Sequence, residues 1–118
     1  MNIEEFYNYC LSFNNSKEDM PFDDKTLVFK VNGKIFSLTN IENFKFINLK
    51  CNPINAVELR EKYYSVKPGY HMNKKHWNSI KMDNSITDQL IKVWIKDSFE
   101  LVVRNLPDKI RKQIKLTI

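Results

Sequence analysis

Residues 25–40 read KTLVFKVNGKIFSLTN, and the fold turns on how this stretch pairs with itself. Asn32-Gly33 is the dipeptide of a type I′ turn, whose two central residues both need positive φ. A two-residue turn there pairs Val31 with Lys34, Phe29 with Phe36 and Leu27 with Leu38. That register places Leu27, Phe29, Val31, Phe36 and Leu38 on one face and Thr26, Val28, Lys30, Ile35, Ser37 and Thr39 on the other. One face is almost wholly apolar and must meet a covering layer.

Outward from the hairpin, Ile3, Phe6, Tyr7, Cys10 and Leu11 recur at helical spacing. Glu4 and Glu5 lie in the first turn, where the helix dipole favours anions. The following NNSKEDMPFDD reads as loop, because Pro21 cannot continue a helix. FKFINLK at 44–50 reads as a third strand covered on both sides, since Phe44, Phe46, Ile47 and Leu49 serve both parities. Asn52-Pro53 starts a helix, with Asn as N-cap and Pro at the first position. It runs to about Tyr64 and is expected to bury Ile54, Val57 and Tyr63 or Tyr64.

A second hairpin is expected from Val66 to His71 and Trp77 to Met82, with MNKK near its turn. Ser85 and Thr87 are capping residues for a long helix whose buried stripe reads Leu90, Trp94, Ser98, Leu101 and Val102. Leu106-Pro107 ends that helix, and DKIRKQIK forms a basic turn or short helix. The order is α-β(3)-α-β(2)-α. It predicts a single α+β domain over residues 1–118, with a five-stranded antiparallel sheet of two hairpin wings and helices on one face.

The bulk composition fits a soluble domain: 42% hydrophobic and 28% charged over 118 residues is too apolar for disorder. No apolar run approaches the ~20 residues that span a bilayer, so no membrane association is expected. The acidic opening MNIEEFYNYC is not that of a secretory signal. Cys10 and Cys51 have no ligand-like spacing and read as buried reduced thiols of a cytoplasmic protein. Of nineteen basic and fourteen acidic residues, one base and six acids fall in residues 1–24, leaving eighteen bases against eight acids. Such polarity favours a polyanionic partner. Part of the lysine excess is compositional, because Asn and Ile are abundant too and Ala56 is the only alanine.

The densest cluster of chemistry is VKPGYHMNKKHWNSIKM at 66–82, with both histidines, Trp77 and no acid. Nucleophilic catalysis needs a Ser or Cys beside a His oriented by a carboxylate. Ser79 and His76 point to opposite faces of a strand and the nearest carboxylate is Asp83, so no enzyme is expected. Zinc needs a third ligand beside His71 and His76, and Lys74 and Lys75 oppose a cation; neither metal nor cofactor is expected. Nucleic acid fits better. Lys67, Lys74, Lys75 and Lys81 can neutralise phosphates, while Tyr70, His71 and His76 can stack and Asn73 can hydrogen-bond at the hairpin tip. Lys109, Arg111, Lys112 and Lys115 are candidates to extend that surface. Few arginines argue against strong guanine reading, which points to low sequence specificity.

The structural reading of the same block makes Trp77 a core residue, His76 a hydrogen-bonded neighbour and Pro68-Gly69 a turn, with the lysines merely solvating the hairpin. A protein-interaction adaptor is the other alternative. It would use the second face of the first hairpin, through Val28 and Ile35, or the acidic N-terminal segment.

Pro68, Tyr70-His71-Met72-Asn73-Lys74, His76-Trp77, Asp83, Ser98-Phe99 and Leu106-Pro107 together resemble the MmcQ/YjbR family over nearly the whole chain. Asn84 stands where that family usually has Gly, and Phe99 where Tyr is usual. The resemblance implies a small cytosolic bacterial α+β protein of double-wing shape, a family described as predicted DNA-binding proteins. The resulting expectation is a non-catalytic domain, monomeric, that binds double-stranded DNA through the second hairpin, with a protein partner as the alternative.

Overall fold

The computed structural model describes residues 1–114. Its elements are α1 (Ile3–Leu11), β1 (Ser16–Asp19), β2 (Thr26–Val31), β3 (Lys34–Asn40), β4 (Phe46–Lys50), α2 (Pro53–Lys62), β5 (Val66–Pro68), β6 (Trp77–Lys81), α3 (Asp88–Arg104) and α4 (Asp108–Arg111). The chain forms one antiparallel sheet in the order β1-β2-β3-β4-β6-β5. The α+β class stands as the sequence predicts and both hairpins form, but β5 ends at Pro68 rather than His71. The strand count differs: there are six strands among the described residues, because the stretch read as loop contributes β1. Ser16–Asp19 pairs along the outer edge of β2, and its residues are polar and mostly exposed. An edge strand of this kind carries no apolar alternation to betray it.

The first hairpin turns as expected, with φ of 49° at Asn32 and 77° at Gly33 and Val31 opposite Lys34. Further out the register departs from expectation. Lys30 faces Ile35, but Phe29 faces Ser37 and Val28 faces Leu38, so β3 holds a bulge at Phe36. A bulge places one extra residue against its partner and switches the facing of everything beyond it. Phe36 still enters the main core, whereas Leu38 moves to the opposite face beside Val28 and Trp77.

Ser98 of α3 tends the backbone at this irregularity. Its hydroxyl donates to the Phe36 carbonyl at 2.6 Å and accepts from the Lys50 amide at 2.9 Å. It thereby satisfies one buried backbone group on each of β3 and β4.

One core layer lies between the helices and one sheet face, uniting Phe6 and Cys10 of α1 with Phe29, Phe36, Ile47, Leu49 and Ile80 of the sheet and Ile95, Phe99 and Val103 of α3. Phe13 stacks on Phe99 at 4.7 Å between ring centroids. The buried stripe of α3 is Ile91, Trp94, Ile95, Ser98, Phe99, Val102 and Val103; the expected Leu90 and Leu101 lie at its margin, half-buried. Three further expectations fail. Ile54 and Val57 of α2 are exposed, and Ala56 is the residue α2 buries. Packing selects the small side chain because α2 lies close to the sheet, where the amide of Asn78 bonds the Ala56 carbonyl. Tyr63 packs edge-on against Trp94, as expected of one of the two tyrosines, while Tyr64 is exposed. Phe46 of β4 is exposed too, since no helix among the described residues covers its sheet face, whereas Phe44 packs on Phe6 just before the strand. No helix among the described residues is long and apolar enough to cross a membrane.

Candidate nucleic-acid interface

Strand alternation divides the chemistry of the second hairpin. Val66, Ile80, Ile47 and Leu49 join the helix-side core. Their neighbours Lys67, Trp77, Ser79, Lys81, Phe46 and Asn48 therefore belong to the opposite, helix-free face. Residues 69–76 connect β5 to β6 and fold back over part of that face. Met72 packs against the small cluster of Val28, Leu38 and Trp77. Trp77 is 9% exposed and anchors the block, as the structural reading of the sequence expects. Val28 is fully buried beneath it, so the first hairpin does not offer Val28 to a partner.

Backbone hydrogen bonds define the connection. The Gly69 amide donates to the Trp77 carbonyl at 2.8 Å, and the Trp77 amide donates to the Asn73 carbonyl at 3.0 Å. A Cβ on Gly69 would stand 2.7 Å from the Trp77 Cβ and 2.9 Å from its carbonyl oxygen, so glycine is required there for close approach. His71 takes φ of 58°. The Asn73 side chain accepts from the Lys75 amide at 2.9 Å, the local bond that makes Asn a turn residue.

Arg60 of α2, which the sequence reading missed, ties this connection to the helix layer. Its Nε donates to the Asn78 side chain at 2.6 Å, and its Nη2 donates to the Trp77 carbonyl at 3.2 Å and to the Lys74 carbonyl. The planar fork of guanidinium suits three acceptors on one side. No spacing motif marks Arg60; only its rarity among lysines sets it apart.

The expected site residues do not form one cluster. Lys67 is exposed on β5, with its ammonium 4.2 Å above the ring of Tyr64. Tyr70 is 72% exposed and its ring rests 4.0 Å from that of His71. Its amide donates to Ser79 Oγ at 3.0 Å, and that hydroxyl donates to the side chain of Asn48. Lys74 is partly committed, because its ammonium donates to the Gly69 carbonyl at 3.0 Å. Lys75 and Lys81 are exposed.

Two shallow grooves flank the connection. One, of about 560 Å³, holds Lys67 and Tyr70 with Lys45, Phe46, Asn48 and Ser79. The other, of about 460 Å³, holds Asn73 and His76 with Lys50, Asn52 and Leu101. Tyr70 and His76 thus serve different surfaces. Among the described residues the His76 ring makes no hydrogen bond, so it is not the bonded neighbour the sequence suggested; its carbonyl accepts from the Cys51 amide at 2.7 Å instead.

The basic residues of α4 lie elsewhere. Ile110 shares a groove with Lys17, Lys30 and Asn32 beside the β1–β2 edge, at the other side of the sheet. Arg111 pairs with Asp108 at 2.8 Å. Lys109, Arg111 and Lys112 therefore do not extend the surface of the second hairpin, and Lys115 falls outside the described residues.

Electrostatics separate the two sides as well. The acidic N-terminal segment is largely occupied: Glu18 accepts from the Tyr7 hydroxyl, Asp19 pairs with Lys30 at 2.9 Å, and Asp23 accepts the amides of Lys25 and Thr26. Among the described residues none of Lys45, Lys67, Lys74, Lys75 or Lys81 has an acidic partner. Burial pushes the Cys51 thiol up to about 11, with the Asp97 carboxylate adding to the effect, and burial raises Cys10 further still. Thiols raised in this way are poor nucleophiles at neutral pH. No three His, Cys, Asp or Glu side chains among the described residues come together as a metal site.

A family model described as YjbR matches residues 11–101. The YbdF protein of Escherichia coli O157:H7 is 42% identical over 96 residues, covering 80% of this chain and 79% of its own. The YjbR protein of Escherichia coli strain K12 is 31% identical over 113 residues, covering 95% of this chain and 96% of its own. The crystal structure of the Deinococcus radiodurans protein DR2400 superposes with a TM-score of 0.92 at 31% identity, over 99% of this chain and 91% of that one. A Pseudomonas syringae crystal structure superposes with a TM-score of 0.72 at 30% identity, over 86% of this chain and 98% of that one.

Proposed function

The chain belongs to the YjbR family, and from that premise we propose that it binds nucleic acid without catalysis, through the helix-free face and second hairpin. The observation that carries this reading is the set of exposed lysines Lys45, Lys67 and Lys81 on or beside one face, with exposed Lys75 on the adjoining connection, none with an acidic partner among the described residues. Unpaired ammonium groups on a shared surface gain by replacing the condensed counterions of a phosphate backbone. Low specificity follows from the side chains on offer. Lysine is a point charge without the bidentate fork that reads guanine, and the fork nearest the face, Arg60, is spent on holding Asn78 and two carbonyls.

Double-stranded DNA is the first ligand to test. Lys74 contributes to the loop through the Gly69 carbonyl, so Lys75 and Lys81 are the better pair to reverse. A Lys75→Glu, Lys81→Glu variant should lose most of its affinity for a labelled duplex in an anisotropy titration while its thermal midpoint stays near that of the parent. Undiminished duplex binding by a well-folded variant would defeat the assignment. The burial of Val28 and the internal bonding of Glu18 and Asp19 weigh against an adaptor that uses those surfaces.

A further inference from the structure

The groove between the β3–β4 turn and the start of the β5–β6 connection carries an inference that rests on the nucleic-acid reading and narrows it. Phe46 is a strand residue with 40% of its surface in solvent, and Tyr70 across the groove is 72% exposed. Two exposed rings lining one groove are an uncommon use of aromatic surface in a chain whose other phenylalanines, apart from Phe22, are buried or half-buried. Neither ring is fixed by tertiary packing alone. The backbone of Phe46 is held by its pairing opposite Lys81 and by the Thr39 hydroxyl, which donates to its carbonyl at 2.7 Å. The backbone of Tyr70 is held by Ser79.

The polar lining is selective in sign. Asn48 has its side-chain oxygen occupied by Ser79, and Asn40 has its oxygen occupied by the amides of Glu42 and Asn43. Each keeps its NH2 group without a protein acceptor among the described residues. Lys45 and Lys67 line it as well, and no carboxylate among the described residues does. The groove thus offers ring faces, amide donors and ammonium groups. Its complement is a planar, acceptor-rich group joined to an anion. A base in a duplex is stacked and paired and cannot lie in such a groove, whereas an unpaired one can.

We propose that this groove takes an unpaired nucleotide, with its base against Phe46 and Tyr70, its acceptors toward Asn48 and Asn40, and its phosphates toward Lys45 and Lys67. The domain then prefers single-stranded nucleic acid to duplex, and sequence matters little because every base has a ring face.

The test is fluorescence anisotropy of the full chain with four labelled probes: a dT12 strand, an rU12 strand, an abasic 12-mer and a 12-base-pair duplex. Wild type should bind dT12 or rU12, or both, about tenfold or more tighter than the abasic strand; which of the two binds tells DNA from RNA. Phe46→Ala should lose about 10- to 100-fold on the strand that binds, as expected for one stacked base, with duplex and abasic affinities unchanged within about twofold. Phe46→Trp keeps a ring at the same strand position and should retain binding, with its indole emission quenched. Equal affinity for abasic and base-bearing strands, or an unaltered titration with Phe46→Ala, overturns the base site while leaving backbone binding intact. No binding to any probe overturns both.

Discussion

The two hairpins of this domain are built on opposite plans. The β2–β3 hairpin turns in two residues, Asn32 and Gly33, and needs nothing from outside to do so. The β5–β6 hairpin needs the eight-residue connection 69–76, and much of what shapes it comes from elsewhere. Arg60 reaches across from α2, Val28 and Leu38 supply the floor, and Asn48 and Ser79 fix the start of the loop. A hairpin made by local rules presents little beyond its own strands. One held by distant groups can display side chains that its own sequence would not order, and the candidate interface is assembled there.

Substitutions can break that contrast, and the largest effect belongs to Trp77. Trp77→Ala removes the centre of the second core cluster and should cost about 3–5 kcal/mol in a denaturant titration. A loss near zero would mean the connection is not seated on the sheet. Next is Arg60→Ala, which leaves the fully buried Asn78 side chain short of its 2.6 Å donor. About 1–3 kcal/mol is expected, and Arg60→Lys should recover little, since an ammonium cannot present the same fork.

The glycines sharpen the comparison. Gly33 needs freedom of φ, has open space around it, and sits at 77°. Gly69 needs room. Alanine at 33 should cost about 1–2 kcal/mol through backbone strain, and asparagine there should restore part of it. At 69 alanine should cost about 1–3 kcal/mol by overpacking, and asparagine should be worse. Equal responses at the two positions would erase the distinction.

The smallest effect lies with Asp83, in the turn after β6. Its carboxylate accepts from the hydroxyl and amide of Ser85 and the hydroxyl of Ser65, and these bonds hold it below the usual carboxylate range. A depressed folded-state value contributes stability that is present above the ordinary Asp value and is lost as pH falls through the lowered one. Asp83→Asn should therefore show a flatter decline of thermal midpoint on the acid side than the parent, in a scan from neutral pH downward. An unchanged acid limb would deny Asp83 that part.

The same contrast explains what could be read in the sequence. The first hairpin was legible at its turn because Asn32-Gly33 encodes the local geometry, and the second because Trp77 and the apolar parity around Ile80 require burial. The bulge at Phe36 was not legible, since no residue in KIFSLTN signals an extra position; Ser98, sixty-two residues away, supplies the partner that accommodates it. Strand β1 was hidden by the polarity that edge strands share with loops. At the candidate site, the exposed lysines and Tyr70 were recognisable by type. The division of the candidate residues between two grooves, Lys67 and Tyr70 in one and Asn73 and His76 in the other, and the parts of Arg60, Phe46 and Asn48, depend on tertiary placement that no spacing within residues 66–82 records.

The central claim is that phosphate contacts by the lysines of the helix-free face hold the nucleic acid. Its most direct test is the salt dependence of duplex affinity for the parent chain and the Lys75→Glu, Lys81→Glu variant. Each neutralised phosphate contributes about −0.9 to the slope of log affinity against log salt. Contacts by Lys45, Lys67, Lys75 and Lys81 would give a slope of about −3 to −4 for the parent, and the variant should be shallower by about 2. Absence of duplex binding at low salt, or a slope that the two substitutions leave unchanged, would contradict the account.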